Sequence, residues 1–93
     1  MSVQVQETIL IINKRGLHAR ASAKFVNAVT ELPGGLDVRV TKDGVEAAGG
    51  SILGLMMLGA AKGDQINIFV SGHGAEEALS ALADLVKGGF GEE

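Results

Sequence analysis

The clearest indication of the fold lies in the segment Leu36-Asp37-Val38-Arg39-Val40-Thr41, where aliphatic and polar side chains alternate. Successive side chains of a strand point to opposite faces, so the aliphatic residues share one face and the polar residues share the other. A strand with one solvated face is typical of antiparallel sheets. The turn-forming residues 42–44 follow directly and lead into a short strand from Val45 to about Ala48. The segment therefore predicts a β-hairpin within an antiparallel sheet.

Outward from this hairpin, strand and helix patterns alternate along the chain. Strand patterns occupy residues 3–12 and 65–71, and the spacing of apolar residues predicts helices over residues 18–31, 52–58 and 75–87. Gly88 and Gly89 end the last helix, and we expect the tail, residues 90–93, to be loosely held. The order β-α-β-β-α-β-α predicts a single α+β domain over residues 1–93. Its architecture would be a two-layer open-faced sandwich, an antiparallel sheet covered on one face by three helices.

The composition restricts the class of protein. The 93 residues are 46% hydrophobic and 20% charged, as expected of a folded globular domain. The chain has no cysteine, which excludes disulfides and thiolate metal sites. No apolar run approaches the ~20 residues that span a bilayer, so we expect a cytoplasmic protein without membrane insertion. A net charge of −3 and the absence of Tyr and Trp argue against nucleic-acid binding.

A basic segment surrounds His18, at the predicted start of the first long helix. It holds four of the eight Lys and Arg residues, Lys14, Arg15, Arg20 and Lys24, and no acidic residue occurs between positions 7 and 31. Because no carboxylate is expected beside the imidazole, a general base oriented by an acid is disfavoured. A helix N-terminus attracts anions, and imidazole is a nucleophile, so a phosphoryl group is the obvious candidate. The residues alone leave a second interpretation open, in which His18 is a surface or capping residue beside solvated cations.

Two motifs resemble those of a known family. Gly16-Leu17-His18-Ala19-Arg20, continued by Ala23-Lys24-Phe25-Val26, is similar to the active-site signature of the histidine-containing phosphocarrier (HPr) family of the bacterial phosphotransferase system. The segment GSILGLMMLG, residues 50–59, resembles the regulatory-serine motif of that family. The two motifs have about the expected separation, and the predicted order of elements covers nearly the whole chain. Many members have proline after the active-site arginine, where this chain has Ala21.

The resemblance implies a phosphocarrier. His18 would be the phosphorylated histidine, with Nδ1 facing the phosphate, and Arg20 the arginine that contacts the phosphoryl group. The donor would be phosphorylated enzyme I, charged from phosphoenolpyruvate, and the acceptors would be A-type domains of the sugar or the regulatory, nitrogen-type branch. Such a protein is a stoichiometric carrier without a cofactor or small-molecule turnover of its own. Arg15 and Lys24 would add attraction for partners near His18.

Ser51 and the helix after it suggest a second functional surface. Ser51 suits an N-cap, and by resemblance it is the serine that a dedicated kinase phosphorylates, and a phosphorylase resets, in part of the family. Residues 52–58 are apolar nearly all round, so part of this segment is expected to lie exposed. The resemblance makes Ile52, Leu53 and Met56 a docking surface beside His18, and self-association is the alternative.

Two other functions remain open. A regulatory docking module would depend on the exposed apolar surface and would use phosphorylation at His18 or Ser51 only as a switch. A small Ser/His hydrolase would use Ser22, four residues from His18 along the same helix. The sequence near His18 offers the hydrolase neither an orienting carboxylate nor a nucleophile elbow. His73, between two glycines, is expected to be a turn residue without a metal.

Overall fold

Four strands form one antiparallel sheet in a computed structural model that describes residues 3–92. The strands are β1 (Gln4–Leu10), β2 (Asp37–Lys42), β3 (Val45–Ala48) and β4 (Gln65–Ser71), in the spatial order β1-β4-β2-β3. The predicted alternation in β2 is confirmed, since its two valines are buried while Asp37 and Arg39 are exposed. The hairpin turn uses Asp43 and Gly44, whose φ angles of 51° and 82° suit a two-residue turn.

Three helices pack on one face of the sheet, which confirms the open-faced sandwich. They are α1 (Ala19–Thr30), α2 (Ile52–Met57) and α3 (Ala75–Lys87), and a short 3-10 helix follows over Gly89–Gly91. The predicted ends of α1 differ by one residue, because His18 and Glu31 are its caps. Over residues 3–92, no helix is both long and apolar enough to cross a membrane.

The core between sheet and helices holds α1 in place. The inner strand β4 contributes Ile66, Ile68 and Val70, each at most 1% exposed. Phe25 of α1 and Leu82 of α3 are buried against the same cluster. Burying one such side chain fully stabilises the fold by about 1.5–3 kcal/mol. The first turn of α1, where His18 lies, is therefore fixed relative to the sheet.

The C-terminal tail is not loosely held, so that prediction was wrong for residues 90–92. Phe90 is only 1% exposed, because its ring enters the core cluster. The Nζ atom of Lys24 donates a hydrogen bond of 2.7 Å to the carbonyl oxygen of Phe90. Terminal residues are usually poorly ordered unless contacts hold them, and here a buried aromatic ring anchors the segment. Residue 93 lies outside the described residues.

Candidate functional site

A tight turn before α1 positions His18. The Leu17 amide donates to the Ala60 carbonyl at 2.9 Å, and the Leu17 side chain is buried. Gly16 has φ +61°, and a Cβ built on it would lie 2.1 Å from the Ala60 oxygen. Only glycine meets both the backbone conformation and this close approach. The turn therefore fixes the position of His18 against the segment that follows α2.

His18 is the N-cap of α1. Its backbone is extended, with φ −74° and ψ −178°, and its Nδ1 accepts a hydrogen bond from the Arg20 amide at 3.2 Å. An imidazole nitrogen that accepts a hydrogen bond carries a lone pair, so the proton of the neutral ring resides on Nε2. The geometry thus favours one tautomer, with the Nδ1 lone pair directed at the start of the helix. The capping interpretation of His18 is confirmed, and it is compatible with a reactive Nδ1.

A carboxylate contacts the other ring nitrogen, which the sequence did not predict. Oε2 of Glu92 lies 2.7 Å from Nε2 of His18, although the two residues are 74 positions apart. Oε1 of Glu92 accepts a hydrogen bond of 3.1 Å from Nδ2 of Asn13. The side chains of His18 and Glu92 are 16% and 18% exposed, so water reaches this contact only partly. The expectation that no carboxylate lies beside the imidazole was therefore wrong, because the fold closes the C-terminal tail onto α1.

Glu92 is held as a carboxylate. Burial opposes its ionisation, but the hydrogen bonds from Asn13 and His18 and the charges of His18 and Lys24 outweigh that effect. The pKa of Glu92 consequently lies below its ordinary value of 4.5. An acceptor-only group therefore faces Nε2 at neutral pH, which reinforces the Nε2–H tautomer.

The three predicted cationic site residues have different surroundings. Arg20 and Arg15 are exposed, and neither guanidinium has a hydrogen bond or ion pair within residues 3–92. Lys24 instead donates to the Phe90 carbonyl, so it anchors the tail. Arg20 and the His18 ring share the first turn of α1. Of the three, Arg20 and Arg15 are thus the two whose charges are exposed to solvent.

Ser51 is the N-cap of α2, as predicted. Its backbone is extended, and its Oγ accepts a hydrogen bond of 2.9 Å from the Gly54 amide. The hydroxyl is half-buried in this arrangement. Ser51 therefore has a structural role as a cap, and its hydroxyl lies at the N-terminus of α2.

The exposed side of α2 is apolar. The exposed fractions are 41% for Ile52, 67% for Leu53, 40% for Met56 and 74% for Met57. We call these four residues the α2 patch. Leu55, on the opposite side, is buried in the core, and α2 packs against α1. The structure thus bears out the expected surplus of apolar surface, and it adds Met57, the most exposed of the four.

Ser22 does not lie where a hydrolase would need it. The residue is fully buried, and its Oγ donates to the Leu17 carbonyl at 3.2 Å. A hydroxyl in this position cannot reach a substrate or the His18 ring, so the Ser–His pairing was wrong. His73 lies exposed in the turn between β4 and α3, as predicted.

Sequence reasoning missed two polar residues of the site, Asn13 and Glu92. Asn13 is 4% exposed, and its Nδ2 donates to the Gly16 carbonyl at 2.8 Å as well as to Glu92. A polar residue at the end of an apolar strand was one available signal. For Glu92, the only signal was the lone aromatic residue of a glycine-rich tail, Phe90, which indicates an anchored segment.

Known proteins resemble this chain over nearly its whole length. The family model described as "PTS HPr component phosphorylation site" matches residues 5–88. The phosphocarrier protein HPr of Neisseria meningitidis serogroup B is 48% identical over 88 residues, which cover 95% of this chain and 97% of the relative. The phosphocarrier protein NPr of Escherichia coli K12 is 40% identical over 92 residues, which cover 96% and 98%. The crystal structure of HPr-C-His from Thermoanaerobacter tengcongensis has a TM-score of 0.88 at 39% identity, covering 96% and 98%.

Proposed function

This chain belongs to the HPr family of phosphocarrier proteins of the phosphotransferase system, and on that basis we propose that His18 is its phosphorylated residue. The donor would be phosphorylated enzyme I, which takes the group from phosphoenolpyruvate. The single observation that carries the assignment is the Nδ1 lone pair of His18, which faces the first turn of α1. No other histidine between residues 3 and 92 has this setting, because His73 lies in an exposed turn.

The chemistry follows from the tautomer. The Nδ1 lone pair attacks the phosphorus of phosphorylated enzyme I, the bond from phosphorus to the donor breaks, and the donor leaves with that electron pair. Nε2 keeps its proton, so the ring needs no separate base. Transfer to the next protein reverses these events: the acceptor attacks the phosphorus, the Nδ1–phosphorus bond breaks, and its electron pair returns to the ring. Positioning and charge stabilisation are the main requirements of such a reaction.

The start of α1 would stabilise the phosphoryl group. The amides of the first turn of a helix lack intrahelical partners, and the helix dipole favours an anion there. The Arg20 amide, now bonded to Nδ1, is the nearest donor, and it is released when Nδ1 bonds to phosphorus. The exposed Arg20 guanidinium would supply further charge-assisted hydrogen bonds to the phosphoryl oxygens. Arg15 would add longer-range attraction for the donor protein.

The α2 patch would be the docking surface for enzyme I and for the acceptor domains. Ile52, Leu53 and Met56 are each at least 40% exposed. Flexible, polarisable methionine side chains re-pack against differently shaped partners, which suits a carrier that meets a donor and several acceptors. The packing of α2 on α1 supports the proposal that this surface lies near His18.

Phosphorylation of Ser51 would regulate docking. The hydroxyl lies next to Ile52, the first residue of the α2 patch, so a phosphate would add about −1.5 to −2 charges to an otherwise apolar surface. A serine kinase and a phosphorylase would then be further partners. The test is intact-mass analysis after incubation with ATP and such a kinase. Incorporation into the wild type but not into Ser51→Ala is expected, and equal incorporation into both would contradict the assignment.

Acceptors are A-type domains of either the sugar branch or the regulatory, nitrogen-type branch. Relatives named HPr and NPr are both similar to this chain, so both classes belong in one experiment. The protein is first phosphorylated with enzyme I and then mixed with one purified acceptor domain of each class. Rapid transfer to one class would assign the branch. Transfer to neither, from a protein that is phosphorylated, would contradict the carrier role.

A regulatory docking module is the second candidate, and the exposure of the α2 patch favours it. Such a protein would bind its partner through α2 whether or not phosphate moves onward. Binding that survives His18→Ala but is lost in Leu53→Glu, without any phosphoryl transfer, would favour the module over the carrier.

A further inference from the structure

The C-terminal tail is built to hold one carboxylate on His18. Oε2 of Glu92 contacts Nε2 at 2.7 Å, and Oε1 is held by Asn13, which is itself 4% exposed. Both carboxylate oxygens therefore have partners, and one of these partners belongs to the buried turn before α1. A solvent-exposed glutamate would not be held in one position by a single surface contact, because ordering its side chain costs conformational entropy.

The backbone of the tail is also held in a single conformation next to Glu92. Phe90 has φ 58°, a left-handed conformation that is uncommon for a residue with a Cβ and is unfavourable by about 1–2 kcal/mol. Burial of the ring and the hydrogen bond from Lys24 to the Phe90 carbonyl maintain it. Strained backbone that persists next to a reactive group is often part of how a site is organised. Here the strained residue lies two positions before Glu92.

We propose that Glu92 is a positioning residue for phosphoryl transfer through His18, an inference that rests on the proposed function. In the resting protein, the carboxylate accepts the Nε2 hydrogen and keeps Nδ1 unprotonated. Nδ1 then acts as the nucleophile when the Arg20 amide releases it. When Nδ1 bonds to phosphorus, the ring retains the Nε2 proton and becomes cationic. Glu92 lies against that charge and keeps the ring protonated until the group leaves. A ring without the proton is a poorer leaving group, because the Nδ1–phosphorus electron pair would then return to an anionic imidazolate.

Glu92 is the negatively charged group that favours the protonated ring. Arg20 lies on the helix that His18 caps and is exposed, Arg15 lies in the preceding turn, and Lys24 is bonded to the tail. All three are cationic and oppose protonation of the ring. The neighbouring helix α2 has no charged side chain. Within the described part of the chain, Glu92 is thus the only carboxylate bonded to the imidazole.

Two variants separate charge from position. Glu92→Gln keeps the shape and an acceptor oxygen but removes the charge, and Glu92→Ala removes both. The matched control is Glu31→Gln, which neutralises an exposed carboxylate at the far end of α1, about 20 Å from His18 at the rise of an α-helix. Imidazole 15N NMR of the unphosphorylated proteins reports the tautomer. The rate of transfer from the phosphorylated proteins to an A-type domain, followed from neutral to alkaline pH, reports the retained proton.

The wild type and Glu31→Gln are expected to show the Nε2–H tautomer. Glu92→Ala should show a larger share of the Nδ1–H tautomer than the wild type, because only the Arg20 amide then favours Nε2–H. The transfer rate of Glu92→Gln should begin to fall at a pH about one unit below that of the wild type, because an adjacent opposite charge shifts an ionisation by about 1–3 units. An unchanged tautomer in Glu92→Ala, or coincident pH profiles of Glu92→Gln and wild type, would overturn the proposal. If enzyme I fails to phosphorylate the wild type, the proposed function fails, whereas the NMR measurement still decides whether Glu92 sets the tautomer.

Discussion

Nε2 of His18 and the carboxylate of Glu92 lie 2.7 Å apart, and this contact makes the C-terminal tail part of the site. The ring is held from both sides, since its Nδ1 accepts the Arg20 amide. The two contacts specify one tautomer, and with it one nucleophilic nitrogen. The site is therefore assembled from the first turn of α1 and from the last residues that the structure describes.

The contribution of Glu92 to stability should depend on pH. The pKa of Glu92 is lower in the folded protein than its ordinary value. Such a carboxylate stabilises the folded protein at pH values above the ordinary pKa, and this stabilisation is lost as the pH falls through the pKa of the folded state. The difference in free energy of unfolding between wild type and Glu92→Gln should thus be present above about pH 4.5 and shrink as the pH falls below that value. Urea unfolding at a series of pH values measures it. A difference that grows as the pH falls below about 4.5 would show that the pKa of Glu92 is raised instead of lowered.

Gly16→Ala should destabilise the fold more than Gly59→Ala. Both glycines have similar positive φ angles, +61° and +66°, so alanine strains the backbone equally at each, by about 1–2 kcal/mol. At Gly16 the new Cβ also meets the Ala60 oxygen at 2.1 Å, whereas nothing lies within 4 Å at Gly59. We expect Gly16→Ala to lose about 1–3 kcal/mol more in urea unfolding. Equal losses would mean that the close approach to Ala60 does not constrain the turn before His18.

Phe90→Ala should destabilise the protein by about 3–5 kcal/mol, because it empties a buried aromatic position. The substitution does not relieve the backbone strain at position 90, because alanine also has a Cβ and is also strained at positive φ. Met57→Ala is the control, as its side chain is 74% exposed, and it should change stability by less than about 0.5 kcal/mol. If Phe90→Ala behaves like Met57→Ala in urea unfolding, the tail is not anchored as described.

Leu53→Glu should weaken binding to enzyme I about tenfold or more without unfolding the protein, because it places a charge in the α2 patch. The side chain is 67% exposed, so the fold does not depend on it. Val45→Glu is the matched control, since Val45 is 55% exposed on β3. Calorimetric titration compares the three proteins, and equal losses from both variants would argue for a general charge effect instead of docking through α2.

Local patterns predicted most of the fold. The alternation around Val38 and Val40 marked β2, the hydroxyl of Ser51 marked the start of α2, and the apolar spacing after Ala75 gave α3 within the observed bounds. Each of these features depends on neighbours within a few positions. Sequence periodicity records such relationships directly, and burial in the structure confirms them.

The rest of the site depends on distant parts of the chain. His18 was recognisable because its segment holds the basic residues and the helix start. Its contact with Glu92 spans 74 positions and arises only when Phe90 is buried and the tail is closed by Lys24. Residues near a terminus are usually loosely held, as we expected of this tail, but the burial of a single aromatic ring outweighed that tendency.

The most direct test of the phosphocarrier assignment is the intact mass of the protein after incubation with phosphoenolpyruvate and enzyme I. We expect a gain of one phosphoryl group in the wild type, lost in mild acid because the nitrogen–phosphorus bond is labile. His18→Ala should remain folded, at a cost of about 0.5–2 kcal/mol for the lost cap, and should gain nothing. Circular dichroism confirms that the variant is folded. An unmodified wild type in the presence of its cognate enzyme I, or equal modification of His18→Ala, would contradict the assignment.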